Sequence, residues 1–386
     1  MADDLILDDP VALVAADPGL MLRAVASSGA QVRIGLDTLD RRALAQLASE
    51  GRPRAVVVCG MGGSGIVGAV LAALASRSAA IPVVAINDSV LPAWVGAVDV
   101  VIAVSCSGET EETLSSAAEA GRRGSRLVAI GAEGSSLHRL AQSFSGSVVL
   151  AVDAQGRMPR ASLWTLLTPL LMVGESLDLV SGSEPALMRA ADRLDDVARR
   201  CGVEVPLEEN EAKTLGLAVA ESLPLLWGSG ELGAVAAYRF ACQLNENAQI
   251  PAIHGAVPEA VHNQVVAFEA PQLLGDDVDD IFRDRVSDPD PSLRMRLVLL
   301  RDAAELEPTA ARADLAVDLA TARGVNVSTI RAVEGHPVER LADLVGVADW
   351  ASVYAALSLG VDPTPILPIV ELKERLAARA HPRLGQ

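Results

Sequence analysis

Apolar residues follow two rhythms along this chain. In "RAVVVCG" (54–60), "IPVVAIN" (81–87), "VDVVIAVS" (98–105), "SRLVAIGA" (125–132) and "GSVVLAV" (146–152) they run almost without interruption. Short β-branched runs of this kind predict strands buried on both faces. Between them the apolar positions recur every three or four residues, as in "GIVGAVLAALAS", "TEETLSSAAEAGRR" and "SSLHRLAQS". That spacing predicts helices with one buried face. Strand and helix alternate from 54 to 152, which predicts a doubly wound parallel sheet of about five strands.

The segments on either side carry the helical rhythm alone. "PGLMLRAVAS" and "TLDRRALAQLAS" place helices between 11 and 50, and 162–200 is helical again. The α/β alternation restarts near 222. "SLPLLWGSG" reads as a strand and a glycine turn, followed by a helix over about 231–248. "QVVAFEA", "RMRLVLLRD" and "NVSTIRAV" then read as strands with helices between. The step "PLLWGSGELGAVA" echoes "VVVCGMGGSGIVG", so two similar α/β domains stand in tandem. The expected boundaries are 1–50 for an N-terminal helical segment, 51–175 for the first α/β domain and 176–205 for a helical linker. The second α/β domain, with a C-terminal helix, is expected over 206–386. "DDVDDIFRDRVSDPDPS" reads as a charged surface loop.

Composition narrows the function classes. The 386 residues suffice for two domains with real cores. A net charge of −18 repels nucleic acid and anionic lipid, and forces any phosphate site to be built locally. The start "MADDLILDDP" lacks the positive stretch of a signal peptide. The apolar run at 163–173 is too short to span a bilayer. Cys59, Cys106, Cys201 and Cys242 form no C-x-x-C pair and read as reduced core thiols of a cytosolic protein. Lysine occurs only at 213 and 373, against thirty arginines, which marks both sites for attention.

Two loops are suited to phosphate. Gly60-x-Gly62-x-x-Gly65 follows the first strand and opens a helix, with Gly62, Gly63 and Ser64 placed to approach an anion. "AVSCSGETEETL" follows another strand and offers Ser105, Ser107 and Thr110 around a helix start. Glycine spacing alone also fits a dinucleotide, and Asp88 at the end of "VVAIND" keeps that reading open. Two phosphate-suited loops on one sheet fit a single compact monophosphate better.

These motifs resemble the sugar isomerase (SIS) fold, and most closely the bifunctional phosphoglucose/phosphomannose isomerase family. "GMGGSG" and "SCSGETEETL" are followed in family order by "MPRAS" (158–162), "QLNENAQIPA" (243–252), "PEAVHNQVVAFE" (258–269) and "VDPTPILPIVELKERL" (361–376). The resemblance implies two SIS-type αβα domains and an aldose–ketose isomerase that needs neither metal nor redox cofactor. Its substrates would be glucose 6-phosphate and mannose 6-phosphate. It makes Glu246 the base, His262 the ring-opening residue, and Lys373 and Arg160 the positive charges near the reacting carbons. His254 lies close enough in sequence to trade roles with His262. In the family this histidine comes from a neighbouring subunit, so a homodimer is implied. Lys213 is expected to be structural, and His138, His336 and His381 to be surface or turn residues. Cys106 stands where the family has Tyr, Glu109 where it has Asn, and Gln264 where it has Glu; "AIHGAV" lacks the aromatic and acidic residues usual before the H-N motif. Those departures leave room for a regulatory phosphosugar-binding protein without turnover.

Overall fold

The computed structural model describes residues 2–270 and 294–380. The charged segment at 276–292 and His381 lie outside the described residues. Short helices come first: α1 (Pro10–Ala15), α2 (Met21–Ala26), α3 (Ser28–Asp37) and α4 (Arg41–Ser49). Asp9 and Asp40 begin α1 and α4 by accepting two backbone N–H bonds each.

The first sheet is all parallel, in the order β2-β1-β3-β4-β5. Its strands are β1 (Val56–Cys59), β2 (Val83–Ile86), β3 (Val100–Ser105), β4 (Arg126–Ala132) and β5 (Val148–Val152). The chain runs from β1 out to β2, then crosses to the other side for β3, which leaves a crevice where β1 and β3 end. Side chains alternate across this sheet. Val56 and Val58 enter the large core, whereas Val57 and Cys59 pack with Leu91, Ala117 and Leu137. Helix α5 (Gly63–Ala75) and α8 (Leu163–Ser176) cover the first face; α6 (Glu111–Arg122) and α7 (Ser136–Gln142) cover the second.

The second sheet, β7-β6-β8-β9, is also parallel. It comprises β6 (Ser222–Ser229), β7 (Ile253–Val257), β8 (Arg294–Arg301) and β9 (Asn326–Arg331). Its chain order reverses in the same way, between β6 and β8. Helices α9 (Ser183–Arg200), α10 (Glu211–Ala220), α11 (Gly230–Gln243) and α13 (Pro337–Ser358) join the two halves, with α12 (Glu307–Ala322) on the far face. Helix α9 packs against both α3 and α13. Helix α13 is long and apolar enough to cross a membrane by length alone, but 94% of that window is buried in the protein's own core. The core is continuous from α5 and α8 through α13 to β6 and β8. Helix α14 (Leu367–Ala380) closes the described chain.

Three sequence expectations are corrected. "QVVAFEA" forms a 3-10 turn over Gln264–Glu269 rather than a strand. Its apolar residues fall three apart, so Phe268 stacks on Trp227 at 5.4 Å while Val266 faces solvent. The strand in this region lies earlier, in "AIHGAV", as β7. The helix expected over 231–248 ends at Gln243 and passes into a π turn over Leu244–Ala248. His138 is buried, on the face of α7 that also carries Leu137 and Ala141, and burial holds its pKa below the ordinary histidine value.

Candidate active site

The glycines of the first loop are required by backbone contact. A Cβ on Gly60 would stand 2.8 Å from the Ser64 carbonyl oxygen, and one on Gly63 would stand 3.1 Å from that of Pro159. One on Gly65 would lie 2.0 Å from the Asn87 amide nitrogen, which itself donates to the Gly60 carbonyl. Gly62 has φ +53°, a left-handed conformation that glycine adopts without strain. Asp88 serves its own turn, accepting from Val90 N. The third glycine of the motif thus makes room for Asn87, and the residue that would hold a ribose is engaged locally.

The two loops are tied to each other. Ser64, at the start of α5, is buried and its Oγ accepts from Cys106 N at 3.1 Å. Ser105 Oγ accepts from Gly108 N and shares a hydrogen bond with Thr110 Oγ1, both at 3.0 Å. Ser107 Oγ accepts from Glu109 N at 3.2 Å. Because the Ser64 and Ser107 oxygens accept here, their O–H hydrogens remain to be donated. Among the described residues no side chain caps α5 or α6; Ser64 N and Gly65 N donate to the Met61 and Gly62 carbonyls, which leaves the Gly63 N–H of α5 and the first N–H groups of α6 for an anion in this crevice. Glu109 does not enter it. Its Oε1 accepts from Ser136 N at 2.8 Å, capping α7, and hydrogen bonding to the Ser136 side chain and main chain lowers its pKa.

Arg160 joins this crevice to the second half of the chain. Its turn, Pro159–Ala161, packs against Gly63, and its side chain is 2% exposed. Nε donates to Asn247 Oδ1 at 2.6 Å, and Nη2 donates to the carbonyls of Pro363 and Thr364 at 2.6 and 2.8 Å. Nη1 donates to no protein acceptor and stands 3.7 Å from Glu246 Oε2. Glu246 and Asn247 sit on the π turn. The extra residue of such a turn shifts the side chains after α11 around the axis. Asn247 is buried, bonded to Arg160 and Ser352, while Glu246 keeps a quarter of its surface open.

Charge around Glu246 is arranged in opposition. Burial raises its pKa above the ordinary glutamate value, and the charges of Arg160 and Arg239 pull it partly back. Arg239 is held by three hydrogen bonds. It pairs with buried Asp349 at 2.9 and 2.7 Å and donates to the main-chain carbonyl of Arg160 at 2.9 Å. Removing one partner of such a buried pair costs about 3–5 kcal/mol. Sequence reading missed Arg239, Asp349 and Ser352. They carry no motif, and only the packing of α11 on α13 brings them beneath Arg160 and Asn247.

Not every expected residue comes together within one chain. His262 ends a 3-10 turn, is exposed, and among the described residues makes no side-chain hydrogen bond to the crevice. His254 is also exposed and packs on Tyr238 with ring centroids 5.0 Å apart. Lys373 lies on α14 and is exposed. Lys213 is buried and bonds the carbonyls of Val203 and Val205 at 2.9 and 2.7 Å, a structural tether. Gln264 accepts from the Trp227 indole at 2.7 Å and donates to the His254 carbonyl at 3.1 Å. An ionised glutamate there would lack the donor, so this departure from the family pattern fits β7 onto β6. Cys106 is buried beside Ser162 and Arg157, and burial raises its thiol pKa.

Comparison with known proteins gives a consistent set of likenesses. Residues 208–376 match the family described as the bacterial phospho-glucose isomerase C-terminal SIS domain. The chain is 33% identical over 323 residues to a bifunctional phosphoglucose/phosphomannose isomerase of Caldicellulosiruptor bescii, covering 83% of this chain and 89% of the relative. It is 28% identical over 328 residues to a protein of the same name from Aquifex aeolicus, covering 85% and 92%. Among solved structures it resembles tagatose-6-phosphate ketose/aldose isomerase from Escherichia coli. The TM-score is 0.62 at 16% identity, covering 89% of this chain and 92% of that one, which speaks for the fold alone.

Proposed function

The chain belongs to the bifunctional phosphoglucose/phosphomannose isomerase family, and from that premise we propose that it interconverts glucose 6-phosphate and mannose 6-phosphate with fructose 6-phosphate through a cis-enediol. It is an aldose–ketose isomerase. One observation carries the reading of the site: Arg160 packs against the glycine loop of the first domain and holds Asn247 and Glu246 of the second.

The phosphate sits on the backbone of Gly62 and Gly63 and takes hydrogen bonds from Ser64, Ser105, Ser107 and Thr110. The sugar then extends toward the π turn. Glu246 removes the proton from C2 of the aldose and returns it to C1 of the enediol. The spare Nη1 of Arg160 stabilises the oxygen on which negative charge develops. It is held rigidly by three hydrogen bonds elsewhere on the guanidinium, so it needs little reorganisation during the reaction. No step calls for a metal or a redox cofactor.

His262 opens the ring and Lys373 adds positive charge, both within a homodimer in which the partner subunit's His262 completes the site. Two features support that assembly. His262 faces solvent in the single chain, and α14 exposes Ile369, Leu372 and Leu376 along one side. The four unpaired cysteines support a place in the cytoplasm.

The test is conversion of fructose 6-phosphate by the purified chain in EDTA, with both aldoses followed separately, beside Glu246→Gln. Product that falls at least a thousandfold in the variant is expected; unchanged turnover removes Glu246 from the role of base. Because burial raises the Glu246 pKa, its base form is lost as the pH falls through a range above that of an exposed glutamate. The acid limb of kcat/KM is expected there. Binding of the sugar phosphate without turnover would favour the regulatory reading. Glu109, which faces α7, and Gln264, which braces β7, no longer support it.

A further inference from the structure

The second sheet ends in a counterpart of the phosphate crevice. Gly60, Gly62 and Gly65 of the first loop answer to Gly228, Gly230 and Gly233. Gly62 and Gly230 are both left-handed, at φ +53° and +69°. A Cβ on Gly65 meets the Gly60 carbonyl oxygen at 2.8 Å, and one on its counterpart Gly233 meets the Gly228 carbonyl carbon at 3.1 Å. Beyond β3 and β8 the chains also run in step: Ser105 answers to Arg301, Glu109 to Glu305, and the first residues of α6 and α12 are Glu111 and Glu307. Helices α11 and α12, like α5 and α6, lack a side-chain cap.

The side chains differ. Ser64, Ser107 and Thr110 have become Leu232, Ala303 and Leu306, while Met61 has become Ser229. Glu305 turns inward, opposite to Glu109. Ser229 Oγ donates to Glu305 Oε2 in a short hydrogen bond. Arg301 Nε donates to Glu305 Oε1 at 2.8 Å, and its Nη2 lies 2.5 Å from the same oxygen. Ser229 and Arg301 are buried, and Arg301 also pairs with Asp314. Beside them is a cavity of about 150 Å³ lined by Arg77, Glu231, Asp302 and Arg340, in which Asp302 pairs with Arg340 at 2.5 Å.

We propose that this second crevice is an oxyanion site closed by the protein's own carboxylate. Glu305 takes the hydrogen bonds that Ser229 and Arg301 would give to the oxygens of a phosphate. The first crevice leaves the Ser64 and Ser107 O–H hydrogens to be donated and the second satisfies Ser229 and Arg301 internally, so a phosphate monoester has one place to bind. Removing the carboxylate opens the second place to inorganic phosphate.

The experiment is calorimetric titration of inorganic phosphate into the full chain and into Glu305→Ala. The variant is expected to bind one more phosphate per chain than the wild type, and to gain more in melting temperature from added phosphate. Reading the difference keeps the result independent of whether the first crevice holds phosphate. Glu305→Gln, which still fills the space, is expected to add no site. A folded Glu305→Ala that binds no additional phosphate overturns the proposal, as does an additional phosphate that survives Arg301→Ala in the same chain. Where Glu305→Ala unfolds in phosphate-free buffer, recovery of its native circular dichroism in phosphate supports the proposal, and failure to recover overturns it.

Discussion

At the end of β1 the chain turns through Gly62, and Ser64 stands at the start of α5 with its Oγ accepting from Cys106 N; at the end of β6 it turns through Gly230, and Leu232 stands in the corresponding place. The two turns share their backbone and not their chemistry. The glycines are present in both because carbonyl oxygens of the neighbouring strand and of the following helix approach too closely for a Cβ. They report that a strand, a tight turn and a helix are packed together. The hydroxyls report what the turn can hold. A glycine pattern is therefore evidence for architecture, and the serines and threonine around it are evidence for a phosphate.

The direction of one glutamate marks the same division. Glu109 leaves its crevice to cap α7, whereas Glu305 enters its crevice to meet Ser229 and Arg301. The difference lies in what each finds. The N-terminus of α7 offers Glu109 a free amide at 2.8 Å. Glu305 is drawn by a buried guanidinium four residues before it, which also pairs with Asp314.

The largest expected effect tests the shared backbone. Gly60→Ala and Gly228→Ala each force a Cβ against main-chain atoms, 2.8 Å away in one case and 2.0 Å in the other. Both are expected to cost about 3 kcal/mol or more in urea denaturation. A tolerated Gly228→Ala would break the equivalence of the two turns. The next effect separates their chemistry. Ser64→Leu, which gives the first turn the residue of the second, is expected to lower kcat/KM about 10- to 100-fold through the loss of a hydrogen bond to a charged group. The reciprocal Leu232→Ser is expected to leave kcat/KM unchanged, and equal losses from both would place substrate at the wrong crevice or at neither. The smallest effect concerns Glu109→Ala. Removing the cap is expected to lower the melting temperature slightly with KM unchanged. A clear fall in KM would mean that Glu109 repels the substrate phosphate after all.

Much of this was legible along the chain. All five strands of the first sheet stand where uninterrupted apolar runs place them; for β1, β3 and the middle of β4 the reason is that a parallel strand covered on both faces cannot carry polar alternation. The second sheet was less legible. "IHGAV" has a histidine and a glycine inside it, and β7 lies at a sheet edge where the pattern is weaker. "QVVAFEA" looks more like a strand than β7 does, yet Asn263 caps its first amide and Phe268 is drawn onto Trp227. The π turn was hidden too, since one extra residue in a helix leaves no compositional trace.

The sequence by itself determined the alternation of strands and helices, the two glycine turns, and the hydroxyl cluster that only the first of them carries. Those are local properties, fixed by the burial of short segments and by backbone geometry within a few residues. Tertiary structure alone decided which charged groups meet. Arg160 and Glu246 lie 3.7 Å apart although 86 residues of sequence (246 − 160) separate them. Arg239 reaches Asp349 across two packed helices, and Glu109 and Glu305 point opposite ways from matching positions. A buried charge goes where a partner removes its desolvation cost, and the partner's position is a property of the packed core rather than of the segment that carries the charge.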